Sequence, residues 1–266
     1  MIRRMERART PGPGQAVTVT IPRHFHGPPD SGNGGYTCGV TALAMTEGPA
    51  EVTLRRPPPL DRPLRIEPSG EGVALVDGDE VVAQARPAQP DVELPEPVGW
   101  DEAQRAARAF DVDAYAGEHA FPTCYTCGPG RAEGEGLRLF PAPTGRPDSV
   151  VAWPWVPDPS LADATGRVAG ATMWAALDCP SGLAWITGRQ PSGPAVLGRM
   201  TVALHRRPRP GEHLVVAGWP IAAEGRKLLA GAAVWSADGE VLAVNAATWI
   251  RLSDDQQAAF RVAGSS

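Results

Sequence analysis

The stretch "RVAGATMWAALDCPSG", Arg167 to Gly182, poses the problem of the fold. Ten uncharged residues separate Arg167 from Asp178, and among them only Gly170 resists a helix. A helix apolar on every side belongs inside a domain rather than on its surface. Residues 168–177 are therefore predicted as a buried central helix, with Asp178 at its C-terminal end. A carboxylate there opposes the helix dipole, so it calls for compensation or a use.

A counterpart lies far upstream. "NGGYTCGVTALAM", from Asn33, is a second glycine-opened apolar run, and a helix over Asn33–Met45 is predicted from it. Two further pieces recur in the same order. "VTLRRPPPLDRPLRI" from Val52 aligns without a gap on "VALHRRPRPGEHLVV" from Val202, each a strand, a basic or proline-rich bend and a strand. "VALVDGDEVVAQA" and "AAVWSADGEVLAVNA" each place Asp-Gly between apolar runs, the signal of a tight hairpin. Three correspondences in one order indicate a duplicated unit, one helix followed by a mostly antiparallel sheet, each helix wrapped by its own sheet. "GWDEAQRAARAF", Gly99–Phe110, reads as a separate amphipathic helix in the connection, with Asp101 and Glu102 suited to its N-terminal dipole. The expected layout is a flexible tail at 1–16, a first unit at 17–95, a connecting helix and loop at 96–125, and a second unit at 126–266.

Composition sets the limits. A chain of 266 residues with 42% hydrophobic residues can bury a substantial core, and a net charge of −5 gives no pull toward nucleic acid or an anionic membrane. The longest uncharged run, Ser31–Thr46, is glycine-rich and too short to span a bilayer. The basic N-terminus lacks a following apolar segment, and four cysteines in a chain this long do not form a disulfide framework. A cytoplasmic protein is expected.

The second unit resembles the hot-dog thioesterases of the phenylacetate-pathway type, over roughly Gly136 to Leu252. Their pattern is Val-His-Gly-Gly followed by seven residues ending in an acid. Here Val168 stands at the valine, Ala169 at the histidine, Gly170 and Ala171 at the glycines, and Asp178 at the acid. In the first unit Asn33 takes the histidine position, Gly34 and Gly35 the glycines, and Ala42 the acid. The resemblance implies an α+β double hot-dog, and the two halves are complementary: one keeps the Gly-Gly turn, the other the carboxylate.

Thioester hydrolysis needs donors for the carbonyl oxygen and a base or nucleophile. Helix N-terminal amides supply the first, with glycine permitting close approach, and a partly desolvated carboxylate supplies the second. In hot-dog pairs the acid of one unit faces the helix start of the other, which implies Asp178 acting with Gly34 and Asn33 in a single site per chain. Gly35, Gly170, Ala171, Trp174 and His26 are the implied substrate contacts. The ligand is an acyl-coenzyme A or acyl-carrier thioester, no cofactor is needed, and the chain could be a monomer or a homodimer. The missing histidine keeps a second reading open, a non-catalytic acyl-binding or scaffolding protein.

Other motifs have plainer readings. "HFHGPPDSGNGG", His24–Gly35, is similar to the opening of hot-dog dehydratases, but that register places Cys38 where an acid is required. Trp153 and Trp155 could wall an acyl channel beside Trp174, although most such residues are core. Arg206, Arg207 and Arg209 read as a solvated basic bend. "CYTCGPG", Cys124–Gly130, has the form of a zinc knuckle. Zinc takes four ligands, and nothing in the spacing requires His119 and Cys179 to complete a set. The expectation is two reduced thiols at a tight turn and no metal.

Overall fold

The computed structural model describes residues 17–45, 48–189, 194–253 and 255–256. The expected tail at 1–16 lies outside the described residues. The first half runs β1 (Val17–Thr20), α1 (Gly34–Ala42), β2 (Ala50–Leu54), β3 (Pro63–Ser69), β4 (Gly72–Asp77) and β5 (Glu80–Pro87). Two helices follow in the connection, α2 (Trp100–Ala109) and α3 (Val112–Glu118). The second half contains β6 (Ala142–Pro143), β7 (Val151–Trp155), α4 (Gly170–Leu183), β8 (Ala195–Leu204), β9 (Leu214–Glu224), β10 (Lys227–Ser236) and β11 (Val241–Arg251).

The strands lie in the order β1-β3-β4-β5-β2-β8-β11-β10-β9-β7-β6, every pair antiparallel. Read outward from the middle, the order is the same on both sides: β2, β5, β4, β3, β1 on one and β8, β11, β10, β9, β7 on the other. Two wrapped central helices are present, as the double hot-dog requires. The expectation that each helix has its own sheet is corrected in one respect. β2 and β8 pair edge to edge, Ala50 opposite Val202 and Thr53 opposite Arg199, so the two sheets are one.

α4 explains why its sequence is apolar all round. All fourteen of its residues are buried, between the concave face of β8–β11 and α1. α1 is buried except at Gly34 and Val40, which are partly exposed, and its polar residues are accommodated locally. The Thr37 hydroxyl donates to the Asn33 carbonyl at 2.9 Å and the Thr41 hydroxyl to the Thr37 carbonyl at 2.8 Å, so neither is left unpaired in the core. The two helices run antiparallel and very close. A Cβ on Gly35 would lie 2.5 Å from Asp178 Cβ, and one on Gly39 would lie 2.8 Å from Ala171 Cα. The glycine spacing of four on α1 thus forms a groove that admits the small-residue face of α4.

The expected end of α4 is also corrected. The helix runs through Pro180 to Leu183, so Asp178 sits within it. The Ser181 hydroxyl donates to the Asp178 carbonyl at 2.7 Å and accepts from Trp249 Nε1 at 2.8 Å, which anchors the turn around the proline. At the other helix, α1 stops at Ala42, short of the predicted Met45.

α2 lies on the outer face of the second half. Val98 and Ala103 pack with Val215, Ala217, Trp219, Ala233 and Trp235, which is why β9 and β10 are buried on both faces. Arg146 holds this layer down. Its guanidinium makes two hydrogen bonds of 2.6 Å to Glu102 and donates to the carbonyls of Glu96 and Pro97. The pair is about three-quarters buried and bidentate, a geometry stronger than an ordinary surface bridge. Arg146→Met is expected to cost about 2 kcal/mol, from the net worth of hydrogen bonds to a charged group. Urea denaturation followed by tryptophan fluorescence measures it.

Candidate active site

The site forms where the N-terminus of α1 meets the middle of α4. Asn33 is the N-cap of α1, its Oδ1 accepting from the Tyr36 amide at 2.8 Å. That leaves its Nδ2 to point across to α4, where it donates to Asp178 Oδ2 at 2.9 Å. The Gly35 amide, an unpaired donor of the first helical turn, donates to the same oxygen at 2.9 Å. One carboxylate oxygen therefore takes two donors from the opposite half, while Asp178 Oδ1 is buried without a partner among the described residues.

Asp178 is 2% exposed, and burial pushes its pKa up to about 7 against the lowering effects of the Gly35 amide and Asn33. From the sequence, burial and nearby N–H donors are expected to act on this carboxylate in opposite directions and to leave it ionised at neutral pH but sensitive to its neighbours. Its enclosure moves it toward neutrality instead.

The implied site residues divide into two groups. Asn33, Gly35 and Asp178 converge, and Gly34 adjoins them without donating to the carboxylate. The helix-start donor is Gly35, not Gly34, because with Asn33 as cap the second helical amide is the one aimed at α4. Gly34 instead abuts Leu197 and Leu54. Gly170 and Ala171 lie at the far end of the helix pair, against Leu43 and Gly39, and do not meet Asp178. There the acid position is Ala42, so the mirror-related place has helix amides but no carboxylate. Trp174 is 3% exposed and packs over Gly39, a core residue at the helix crossing. His26 is half-buried, its Nδ1 3.2 Å from the Gly27 carbonyl, and its pKa is lowered by burial and by Arg131; it makes no hydrogen bond to Asp178.

A surface groove of about 480 Å³ opens elsewhere, lined in part by Arg138, Trp153, Trp155 and Leu161. Leu161 accepts the Ala169 amide, so this groove belongs to the start of α4, at the acid-free end. In the basic bend Arg206 pairs with Glu212 and Glu240, and Arg207 with Asp163.

The connecting segment supplies neighbours that the sequence did not place. The Tyr125 amide donates to the His26 carbonyl at 2.7 Å, and the Thr126 hydroxyl to the Ala175 carbonyl of α4 at 3.0 Å. Tyr125 completes an aromatic cluster with Phe25 and Tyr36, the latter two stacked at 3.9 Å. Asn33 Nδ2 also approaches Cys124 Sγ at 3.7 Å. Cys124 and Cys127 are thus not an isolated pair of thiols. Cys179, the residue after Asp178, is buried with them, and His119 adjoins Cys127. The sequence named all four residues, Cys124 and Cys127 as a knuckle motif and His119 and Cys179 as residues that could complete a set, but no spacing required them to meet.

With that geometry established, the chain resembles two solved structures along nearly its whole length. One is the tesB protein of Mycobacterium avium subs paratuberculosis, 15% identical over 90% of this chain and 93% of that one, with a TM-score of 0.57. The other is a conserved protein of unknown function with a hot dog fold from Alicyclobacillus acidocaldarius, 14% identical over 91% and 95% of the two chains, with a TM-score of 0.53. They establish the fold as a double hot-dog. No family model and no curated protein matches the chain. Among the described residues no helix is long and apolar enough to cross a membrane.

Proposed function

We propose that the chain hydrolyses acyl thioesters, with acyl-coenzyme A as the expected substrate class, at the junction of α1 and α4. The observation that carries this reading is the sharing of Asp178 Oδ2 by the Gly35 amide and Asn33 across the two halves. Helix N-terminal donors and a carboxylate meeting at one point are the two components that thioester hydrolysis needs.

In this reading the thioester carbonyl takes over the Gly35 amide and the Asn33 amide group, and the carboxylate they release becomes the base. Water attacks the carbonyl carbon as its proton passes to Asp178. The oxyanion of the tetrahedral intermediate is held by the donors at the start of α1. Collapse breaks the carbon–sulfur bond, and the proton returns to the departing thiolate. Because one half lacks an acid, each chain has one such site.

A second reading rests on the enclosure of Asp178. At 2% exposure the carboxylate is a tie between the halves until something displaces its partners. A chain that binds acyl thioesters without cleaving them needs nothing more. A panel of short, long and aromatic acyl-coenzyme A substrates, followed by free-thiol detection, separates the two. Thiol release by the wild type is the expected result; calorimetric binding without release across the panel replaces hydrolysis with binding.

A further inference from the structure

The connecting segment and α4 bring together four groups that the site chemistry does not use. Cys124, Cys127 and Cys179 are buried, all three are free thiols, and their sulfurs lie within 4.8 Å of one another. Cys124 Sγ and Cys179 Sγ are 3.8 Å apart, and His119 Nε2 lies 3.4 Å from Cys127 Sγ. A tetrahedral zinc with Zn–S near 2.3 Å and Zn–N near 2.0 Å has S···S edges of about 3.8 Å and S···N edges of about 3.6 Å. The Cys124–Cys179 and Cys127–His119 spacings match those edges, the three sulfurs already form one face of the tetrahedron, and the His119 ring, not yet within 4.8 Å of all three, has to shift toward them to complete it.

We propose that Cys124, Cys127, Cys179 and His119 bind one structural zinc ion, which clasps the connecting segment to α4.

The local backbone is built for it. Gly128 follows the second cysteine because a Cβ there would lie 2.5 Å from both the nitrogen and the oxygen of Cys124. Its amide donates to the Cys124 carbonyl at 2.9 Å, closing the tight turn that points both thiols the same way. Three thiolates and one zinc carry a net charge of −1, which a buried site must balance. Arg131 is positioned for this. It is 9% exposed, and its guanidinium is held by the carbonyls of Thr123, Glu135 and His24. Among the described residues no carboxylate lies within ion-pair distance of it, and it interacts electrostatically with Cys124, Tyr125 and Glu135. Its positive charge offsets part of the negative charge that metal binding creates on the cluster.

Binding releases the three thiol protons. The Phe121 amide donates to His119 Nδ1 at 2.9 Å, which keeps the ring proton of the metal-free chain on Nε2. Ligation through Nε2 moves that proton to Nδ1 and breaks the Phe121 contact. Four protein ligands leave no open position, so the ion is structural and not catalytic. The clasp fixes Cys179, and with it the turn of α4 that carries Asp178. Any opening of the site then falls to its other walls.

The test is metal analysis of the full chain purified under reducing conditions and reconstituted with zinc. About one zinc per chain is expected in the wild type and in Cys38→Ala, whose buried cysteine lies outside the cluster. Cys127→Ser should retain less than a tenth of that. Cobalt loading of the wild type should give the intense visible bands and sulfur charge-transfer absorption of a tetrahedral thiolate site. Should Cys127→Ser fail to fold, the wild-type metal content and cobalt spectrum decide alone. Absence of stoichiometric zinc in the reconstituted wild type overturns the proposal. So does a cobalt spectrum without thiolate bands, or a metal-free chain lighter by two hydrogens through a Cys124–Cys179 disulfide.

Discussion

Asp178→Asn is expected to lower thioester turnover by at least about a hundredfold while leaving acyl-thioester binding within a few-fold, the size of a lost general base. The substitution is nearly isosteric. Its side-chain oxygen can still accept the Gly35 amide, so the contact between the halves survives in part. What disappears is the negative charge and the basic oxygen. No second acid stands in reserve, since the equivalent position in the other half is Ala42. Steady-state thiol release and calorimetric binding, measured on the same preparations, separate chemistry from recognition. Equal turnover by the two proteins would falsify the role of Asp178. A melting temperature that falls while turnover per folded molecule is unchanged would make the carboxylate a tie only.

Gly35→Ala is expected to destabilise the chain by about 3 kcal/mol, the upper range for overpacking a close-packed interior. For a chain of this size that is a fall in melting temperature of roughly 6–12 °C. The new methyl would sit 2.5 Å from Asp178 Cβ, 2.8 Å from the Trp174 carbonyl oxygen and 3.0 Å from Ala175 Cα. These are main-chain and Cβ atoms of a buried helix, so relief requires α1 and α4 to separate. The same separation lengthens the Gly35 amide contact to Asp178. Gly34→Ala is the control. Its methyl meets Leu197 Cδ2 at 3.0 Å and Leu197 Cβ at 3.1 Å, a shortfall of a few tenths of an ångström against the 2.5 Å contact at Gly35, and the helical gain of alanine offsets part of the cost. Thermal melts of both variants check the contrast. A Gly35→Ala protein as stable as Gly34→Ala would contradict the helix contact described above.

The fold was legible where its determinants are local. The two apolar runs, the bent strand pairs and the Asp-Gly hairpins are short-range patterns, and they map onto α1 and α4, β2–β3 and β8–β9, β4–β5 and β10–β11. The joining of β2 to β8 was not legible, because edge-to-edge pairing leaves no period in either strand. The end of α4 was misread for a related reason. Asp178, Pro180 and Gly182 look like a stop, yet Ser181 and Trp249 supply hydrogen bonds that carry the helix past the proline. In the site, the resemblance pointed Asp178 at the start of α1, but choosing Gly35 over Gly34 depended on which residue caps the helix. The cysteine cluster spans 55 residues between Cys124 and Cys179, and only the folded chain closes that distance.

The joint between the sheets has a consequence during synthesis. β2 is complete as an edge long before its partner exists, since β8 begins roughly a hundred residues after β5 ends. At typical translation rates that interval lasts on the order of ten seconds, and an open edge in that time invites pairing with another nascent chain. The sequence around β2 reads as protection. The strand is five residues long, carries Glu51 and runs directly into Arg55-Arg56 and Pro57-Pro58-Pro59. In the finished molecule Glu51 pairs with Arg86 of its own half and with Arg199 of β8. Until β8 is made, the same charge and the proline run discourage any other strand from docking there, so the seam is kept free for the half that the ribosome has yet to deliver.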